Sequence, residues 1–260
     1  MAEATGLYYE THGRADAPPL ILSSGLGGSA SYWKPNIPAL AERYRVITYD
    51  HRGTGRSDRA LVDVVTVDDF ADDIIALMDA LEIPKAHLVG HAAGGVAGLA
   101  LALKAPERLD KLVVVNGWVQ ADPHFLRCFE ARLNLLRHAG VEAFLRAQPI
   151  FLYPASWISE QSAALDAELV HQTADFPGIA TMEKRIAALA AFDISDRLAS
   201  LPPRMMTLAA KDDMLVPVTA SHEFRDVPGV RAAEMTGGHA CNVTDPETFN
   251  HLVLDFLRSQ

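Results

Sequence analysis

Residues 88–95, Leu-Val-Gly-His-Ala-Ala-Gly-Gly, have the pattern of a strand that runs into a sharp turn and the start of a helix. Within them, Gly90-His91-Ala92-Ala93-Gly94 matches the nucleophile elbow G-x-S-x-G everywhere except at its centre, where alanine replaces the serine. The flanking glycines allow close approach of strand and helix backbones. Alanine has neither an ionisable proton nor a lone pair, so covalent catalysis through the side chain at Ala92 is excluded. Chemistry at this turn has to come from its neighbours.

Two such neighbours follow in chain order. The loop Lys211-Asp212-Asp213-Met214-Leu215-Val216-Pro217 supplies Asp213, four residues before Pro217, and Thr236-Gly237-Gly238-His239 supplies a histidine. By position, Asp213 is the acid and His239 the base, with Asp212 an alternative acid. A carboxylate there would hold the imidazole in one tautomer and stabilise its protonated form. An oxyanion hole uses backbone N–H groups and survives the loss of the serine, so Ala93 and Leu26 are the expected donors. The helix N-terminus behind Ala93 favours an anion. Water activated by His239 is the first choice of attacking group, because Ala92 leaves room beside the imidazole, and Cys241 is the other candidate. A buried structural role is the commoner one for such a cysteine. General-base catalysis contributes roughly 10²–10⁴-fold, which suits an already labile substrate. His91 occupies a slot that varies freely in the motif and is read as structural, while His12, His51 and His87 have no patterned partners.

These residues need a scaffold of strands that end in loops. Leu20–Ser24 reads as a strand leading into the glycine-rich loop 25–29, Tyr32–Tyr44 contains a short helix, and Arg45–Asp50 is a second strand. The loop 51–58 precedes a helix at Val67–Leu81, whose Asp68, Asp69, Asp72 and Asp73 form a solvated face weighted to its first turns. Ala86–Gly90 is the strand entering the elbow, Gly94–Ala105 a buried helix and Lys111–Asn116 the next strand. The rhythm changes from Trp118 to about Ala180. Phe125, Phe129, Leu133 and Leu136 recur at helical spacing, and Pro149–Trp157 is an aromatic stretch too broken by proline for a long helix. Alternation returns with a helix at Met182–Ala191 and strands at Arg204–Ala210 and Val230–Met235. A capping box at Thr244–Glu247, or Asp245 before Pro246, starts a last helix. The expected architecture is an α/β fold with a mostly parallel central sheet, helices on both faces and an inserted helical lid. Residues 1–119 and 181–260 would form the core and 120–180 the cap.

At 260 residues, with 49% hydrophobic and 22% charged residues, the composition is that of a globular chain, and a net charge of −10 argues against a nucleic-acid partner. Two cysteines, Cys128 and Cys241, fit a reducing compartment. Neither a signal-peptide pattern nor a membrane-length apolar run is present, so a cytoplasmic enzyme acting on a small molecule is expected, without membrane association, metal or cofactor. A homodimer is carried as its assembly.

The order of elbow, acidic loop and histidine loop on this strand and helix rhythm resembles the α/β-hydrolase superfamily over the whole chain. A narrower resemblance is to the RutD family of bacterial pyrimidine degradation. It rests on Ser24-Gly25-Leu26-Gly27-Gly28-Ser29 with Tyr32-Trp33, Val89-Gly90-His91-Ala92, Val115-Asn116-Gly117-Trp118 and Phe151-Leu152-Tyr153-Pro154-Ala155. The run Gly237-Gly238-His239-Ala240-Cys241-Asn242-Val243-Thr244-Asp245-Pro246-Glu247-Thr248-Phe249-Asn250 is the longest and most specific match. The resemblance implies that alanine at the elbow is a family trait. It also implies a late step after uracil ring opening, as an aminoacrylate hydrolase or a carbamate hydrolase acting on a carbon–nitrogen bond, both substrates that decay spontaneously. Ser24, Trp118, Tyr153 and Trp157 would wall the pocket. Three other readings stay open: a cofactor-independent lyase or oxygenase of this fold, an esterase carrying a Ser-to-Ala change, and a ligand-binding member without turnover.

Overall fold

In the computed structural model, which describes residues 2–259, eight strands form one sheet in the order β1-β2-β4-β3-β5-β6-β7-β8. Strands β1 (Ala2–Ala4) and β2 (Leu7–His12) make an antiparallel hairpin, and β2 pairs antiparallel with β4 (Arg45–Tyr49). The remaining strands, β3 (Pro19–Ser23), β5 (Ala86–His91), β6 (Leu109–Val115), β7 (Met205–Ala210) and β8 (Val230–Met235), are joined by parallel pairings that also include β4. The N-terminal hairpin is absent from the sequence expectation. Its strand Leu7-Tyr8-Tyr9-Glu10-Thr11-His12 buries only Leu7 fully and leaves no strong alternation to read.

Successive side chains on the parallel strands point to opposite faces, so two cores form. Leu20, Leu22, Val46, Val89, Val113 and Val115 pack with Trp33, Phe249 and Val253, below α1 (Ile37–Ala41) and α11 (Pro246–Arg258). Ile21, Ile47, Leu88, Leu112 and Val114 pack on the other face with α2 (Val67–Ala80) and α3 (Ala93–Lys104). Helix α2 begins with a capping box, in which Thr66 Oγ1 accepts from Asp69 N and Asp69 Oδ2 accepts from Thr66 N at 2.7 Å. On its acidic face Asp72 pairs with Lys104 and Asp73 with Arg52. Helix α3 is buried almost throughout, as its nearly uniform apolarity requires.

Between β6 and β7 the chain forms α4 (Pro123–His138), α5 (Val141–Leu152), α6 (Ala155–Glu160), α7 (Ser162–Ala174) and α8 (Ile179–Ala190). Asp122 caps α4 by accepting from His124 N at 2.6 Å, and Phe125, Phe129, Leu136 and Phe144 join the core that contains α2 and α3. As expected, no long helix crosses Pro149–Trp157, although Pro149 itself lies inside α5. It sits in the last turn, where forfeiting one hydrogen bond is tolerable, and the chain breaks instead at Tyr153-Pro154. Tyr32–Tyr44 is likewise divided, into a 3₁₀ turn at Ala30–Trp33 and α1, because Pro35 and Pro38 lie within the stretch. After β7 come the short helices α9 (Thr219–His222) and α10 (Cys241–Thr244), and α11 is capped by Asp245, which accepts from Thr248 N at 3.1 Å. Among the described residues, no helix is long and apolar enough to cross a membrane.

Candidate active site

The elbow keeps its shape without its serine. Ala92 has φ 47° and ψ −106°, a left-handed φ that costs a non-glycine residue on the order of 1–3 kcal/mol. Two close approaches hold it. A Cβ on Gly90 would lie 2.2 Å from Gly94 O, and one on Gly94 would lie 2.2 Å from Ser23 O, so only glycine lets β5, β3 and α3 meet here. Ala92 N–H donates to Val115 O at 2.8 Å, which ties the turn to β6. Ala93 opens α3, where the first N–H groups have no partner within the helix.

Asp213 and His239 meet as their loop positions suggested. His239 Nδ1 donates to Asp213 Oδ2 at 2.7 Å, and both side chains are buried. Asp213 Oδ1 accepts from Leu215 N at 2.7 Å and Val216 N at 2.9 Å, so the carboxylate is fixed before it reaches the ring. Asp212 does other work: it accepts from Gly237 N and Gly238 N and braces the histidine loop, so it is not the acid partner. The carbonyl of His239 accepts from His91 Nε2 at 2.8 Å and from Asn116 Nδ2 at 2.7 Å. Asn116 Oδ1 in turn accepts from Ala210 N at 2.8 Å, joining the ends of β6 and β7 to the histidine loop. His91 thus serves as a brace. Burial, with nearby His239 adding to the effect, pulls its pKa well below 6.5 and keeps it neutral.

The glycine-rich loop folds beside the elbow. A Cβ on Gly25 would lie 2.9 Å from His91 Nδ1 and 3.9 Å from Ala92 Cβ. A guanidinium anchors this loop: buried Arg185 of α8 donates through Nε to Leu26 O at 3.2 Å, through Nη1 to Arg52 O at 3.3 Å and through Nη2 to His51 Nδ1 at 2.9 Å. His51 therefore carries its proton on Nε2, 3.2 Å from Ser23 Oγ, which lies 2.8 Å from the Tyr49 hydroxyl. His51, which had no patterned partner in the sequence, has two in the structure. Burial and the Arg185 charge hold it neutral, its pKa well below 6.5.

A cavity of about 540 Å³ opens on these groups, lined by Ser24, Leu26, His91, Ala92, Ala93, Trp118 and His239 on the sheet side and by Phe129, Arg132, Phe144, Gln148 and Tyr153 from the inserted region. Trp157 is not in its wall; it stacks on Tyr153 at 4.3 Å between ring centroids. Cys241 is fully buried against Trp33 and Phe249 on the other core and does not line the cavity. Burial, reinforced by the Asp213 charge, pushes its thiol up to about 12, so it is a poor nucleophile at neutral pH. Arg132 and Arg185 were both missed in the sequence. The available signal was an arginine on an apolar stripe, Arg132 in line with Phe125, Phe129 and Leu136, and Arg185 beside Met182, Ile186 and Leu189. A second concavity, of about 460 Å³ between Arg52, Leu61, Phe70 and Asp73, contains none of the His–Asp machinery. Among the described residues, no three or more His, Cys, Asp or Glu side chains gather as a metal site requires.

Eight-stranded sheet, elbow, acid loop and histidine loop together define an α/β hydrolase, and the family model described as alpha/beta hydrolase fold matches residues 18–226. A solved structure, the enol-lactonase from Burkholderia xenovorans, superimposes with a TM-score of 0.88 at 25% identity, covering 99% of both chains. Within that superfamily the chain belongs to the RutD family. It is 54% identical over 257 residues to a candidate carbamate hydrolase RutD of Caulobacter segnis, covering 97% of this chain and 96% of that protein. It is 48% identical over 260 residues to the Rhizobium rhizogenes protein of the same name, covering 98% of each.

Proposed function

We propose that this hydrolase cleaves the carbon–nitrogen bond of a small, labile compound, carbamate or aminoacrylate, using water activated by His239 and Asp213. The observation that carries the reading is the fixed His239–Asp213 pair beside an elbow whose central residue, Ala92, has no nucleophile. The carbamate hydrolase name of the relatives supports the substrate class.

For aminoacrylate, the enamine first tautomerises to its imine. His239 Nε2 takes a proton from water as the hydroxide bonds to the C=N carbon, and the ring, now positive, is stabilised by Asp213. The imidazolium returns that proton to nitrogen, giving the carbinolamine; His239 then takes the hydroxyl proton and passes it to the same nitrogen as the C=O bond forms and the C–N bond breaks, and ammonia and 3-oxopropanoate leave. For carbamate, the hydroxide bonds to the carboxylate carbon, and return of the proton to nitrogen breaks the C–N bond and releases ammonia and bicarbonate. The N–H groups of Ala93 and Leu26 and the start of α3 supply positive potential for the charge that develops. Arg185 holds the Leu26 carbonyl and so keeps that loop in place.

The test is ammonia release by the purified protein from carbamate and from aminoacrylate generated in situ, each measured against its spontaneous decay. Acceleration of at least one is expected, with no mass added to the quenched protein. If neither substrate is consumed faster than in buffer, the reading fails.

A further inference from the structure

Among the described residues, two arginines are buried without a carboxylate partner, Arg132 and Arg185, and they differ in one respect. All three nitrogens of Arg185 meet acceptors. Arg132, only 2% exposed, has one, Gln148 Oε1, which accepts from Nη2 at 2.5 Å. Its Nε is buried without an acceptor, and no ion pair forms at Arg132 among the described residues. The aromatic faces of Phe129, Phe144 and Phe151, with centroids 5.1, 5.3 and 5.6 Å from its guanidinium carbon, offset part of the cost of burying a cation. They cannot satisfy N–H groups in the guanidinium plane. Burial lowers its pKa to about 10, which still leaves it charged at neutral pH.

This underused guanidinium lines the same cavity as Ala92 and His239. Trp118 Nε1 and Ser24 Oγ, also in that wall, are buried without protein partners as well. Glu168 and Asp175 line the cavity from exposed positions and make no ion pair with Arg132. The planar fork of a guanidinium matches a carboxylate with two parallel hydrogen bonds.

We propose that Arg132 is the carboxylate-binding residue of the cavity. The proposal deepens the hydrolase reading and rests on it for the identity of the bond broken. Both candidate substrates carry a carboxylate: in aminoacrylate it stands one carbon away from the carbon bonded to nitrogen, and in carbamate its carbon is itself bonded to nitrogen.

Binding of propanoate and of its neutral isostere propanamide, read by calorimetry, tests the anchor without turnover, and the steady-state constants for aminoacrylate test it in catalysis. The unaltered protein should bind propanoate in preference to propanamide. Arg132→Gln should lose propanoate affinity by roughly 10- to 100-fold and raise KM for aminoacrylate comparably, with a smaller change in kcat. Arg132→Lys, which keeps the charge and loses the fork, should recover part of the affinity. Lys34→Ala, at the exposed rim of the cavity, should retain the preference. Equal binding of the two ligands by the unaltered protein overturns the proposal even if Arg132→Gln does not fold, as does loss of the preference in Lys34→Ala. Turnover with an unchanged KM in Arg132→Gln overturns the anchor and leaves the hydrolase reading standing. Propanoate binding that depends on Arg132, without turnover of either labile substrate, supports the anchor and removes the hydrolase reading.

Discussion

At the scale of single residues, the elbow shows what remains of a nucleophile site when the nucleophile goes. Ala92 keeps a strained backbone with no hydroxyl on it, and the His239 imidazole and Ala93, the first residue of α3, stand beside it at the cavity. Cys241 is the residue that could contest this, being two positions from His239. Its thiol is held protonated by burial, up to about 12, and its Sγ lies 3.8 Å from Asn116 Nδ2 as a weak acceptor. Cys241→Ala should therefore leave kcat for ammonia release unchanged within assay error. A loss as large as that expected for His239→Ala would move the attacking group onto sulfur.

Among the elements, the decisive contact is the one between β3, the end of β5 and the first turn of α3. Gly94→Ala would place a methyl carbon 2.2 Å from a backbone oxygen of Ser23, which no side-chain rotation relieves. The expected cost is about 3 kcal/mol or more, seen as a lower denaturant midpoint or loss of soluble protein. A variant as stable as the parent would mean that α3 can move off the sheet. The inserted helices have a comparable logic. Helix α4 puts Phe125, Phe129 and Leu136 into the core, and the same stripe carries Arg132 to the cavity. The sequence reading placed Leu133 on that stripe and passed over Arg132, because a helical period is read from apolar residues and discounts a charge. Trp157 was misplaced for a related reason: an aromatic pair in sequence does not say which ring faces the cavity and which stacks behind it. The pairing of Asp213 with His239 was legible, since strand order fixes which loops meet at one sheet edge. The links from Arg185 to His51 and from Asn116 to the His239 carbonyl were not, because they join residues more than a hundred positions apart and leave no local pattern.

For the whole molecule, buried neutral histidines set the response to acid. His51 and His91 are both held well below their ordinary value of 6.5, chiefly by burial. Between the folded and unfolded values the unfolded chain binds more protons, so stability rises with pH. This contribution is complete above about pH 6.5 and is lost as pH falls below it. Each histidine adds a slope of up to about 1.4 kcal/mol per pH unit in that range. Equilibrium urea unfolding between pH 7.5 and pH 5.5 would show the midpoint dropping with acid, and a flat profile would mean that these rings ionise freely in the folded protein. The parallel strands and the two-faced core were readable from apolar runs, whereas the N-terminal hairpin, half-buried along β2, was not.

His239 is the group that has to do the work a serine at the elbow would otherwise do. The rate of ammonia release from the labile substrate, corrected for its spontaneous decay, should fall by roughly 10²–10⁴-fold in folded His239→Ala. If that variant releases ammonia as fast as the unaltered protein, and still faster than buffer, the activated-water mechanism is wrong.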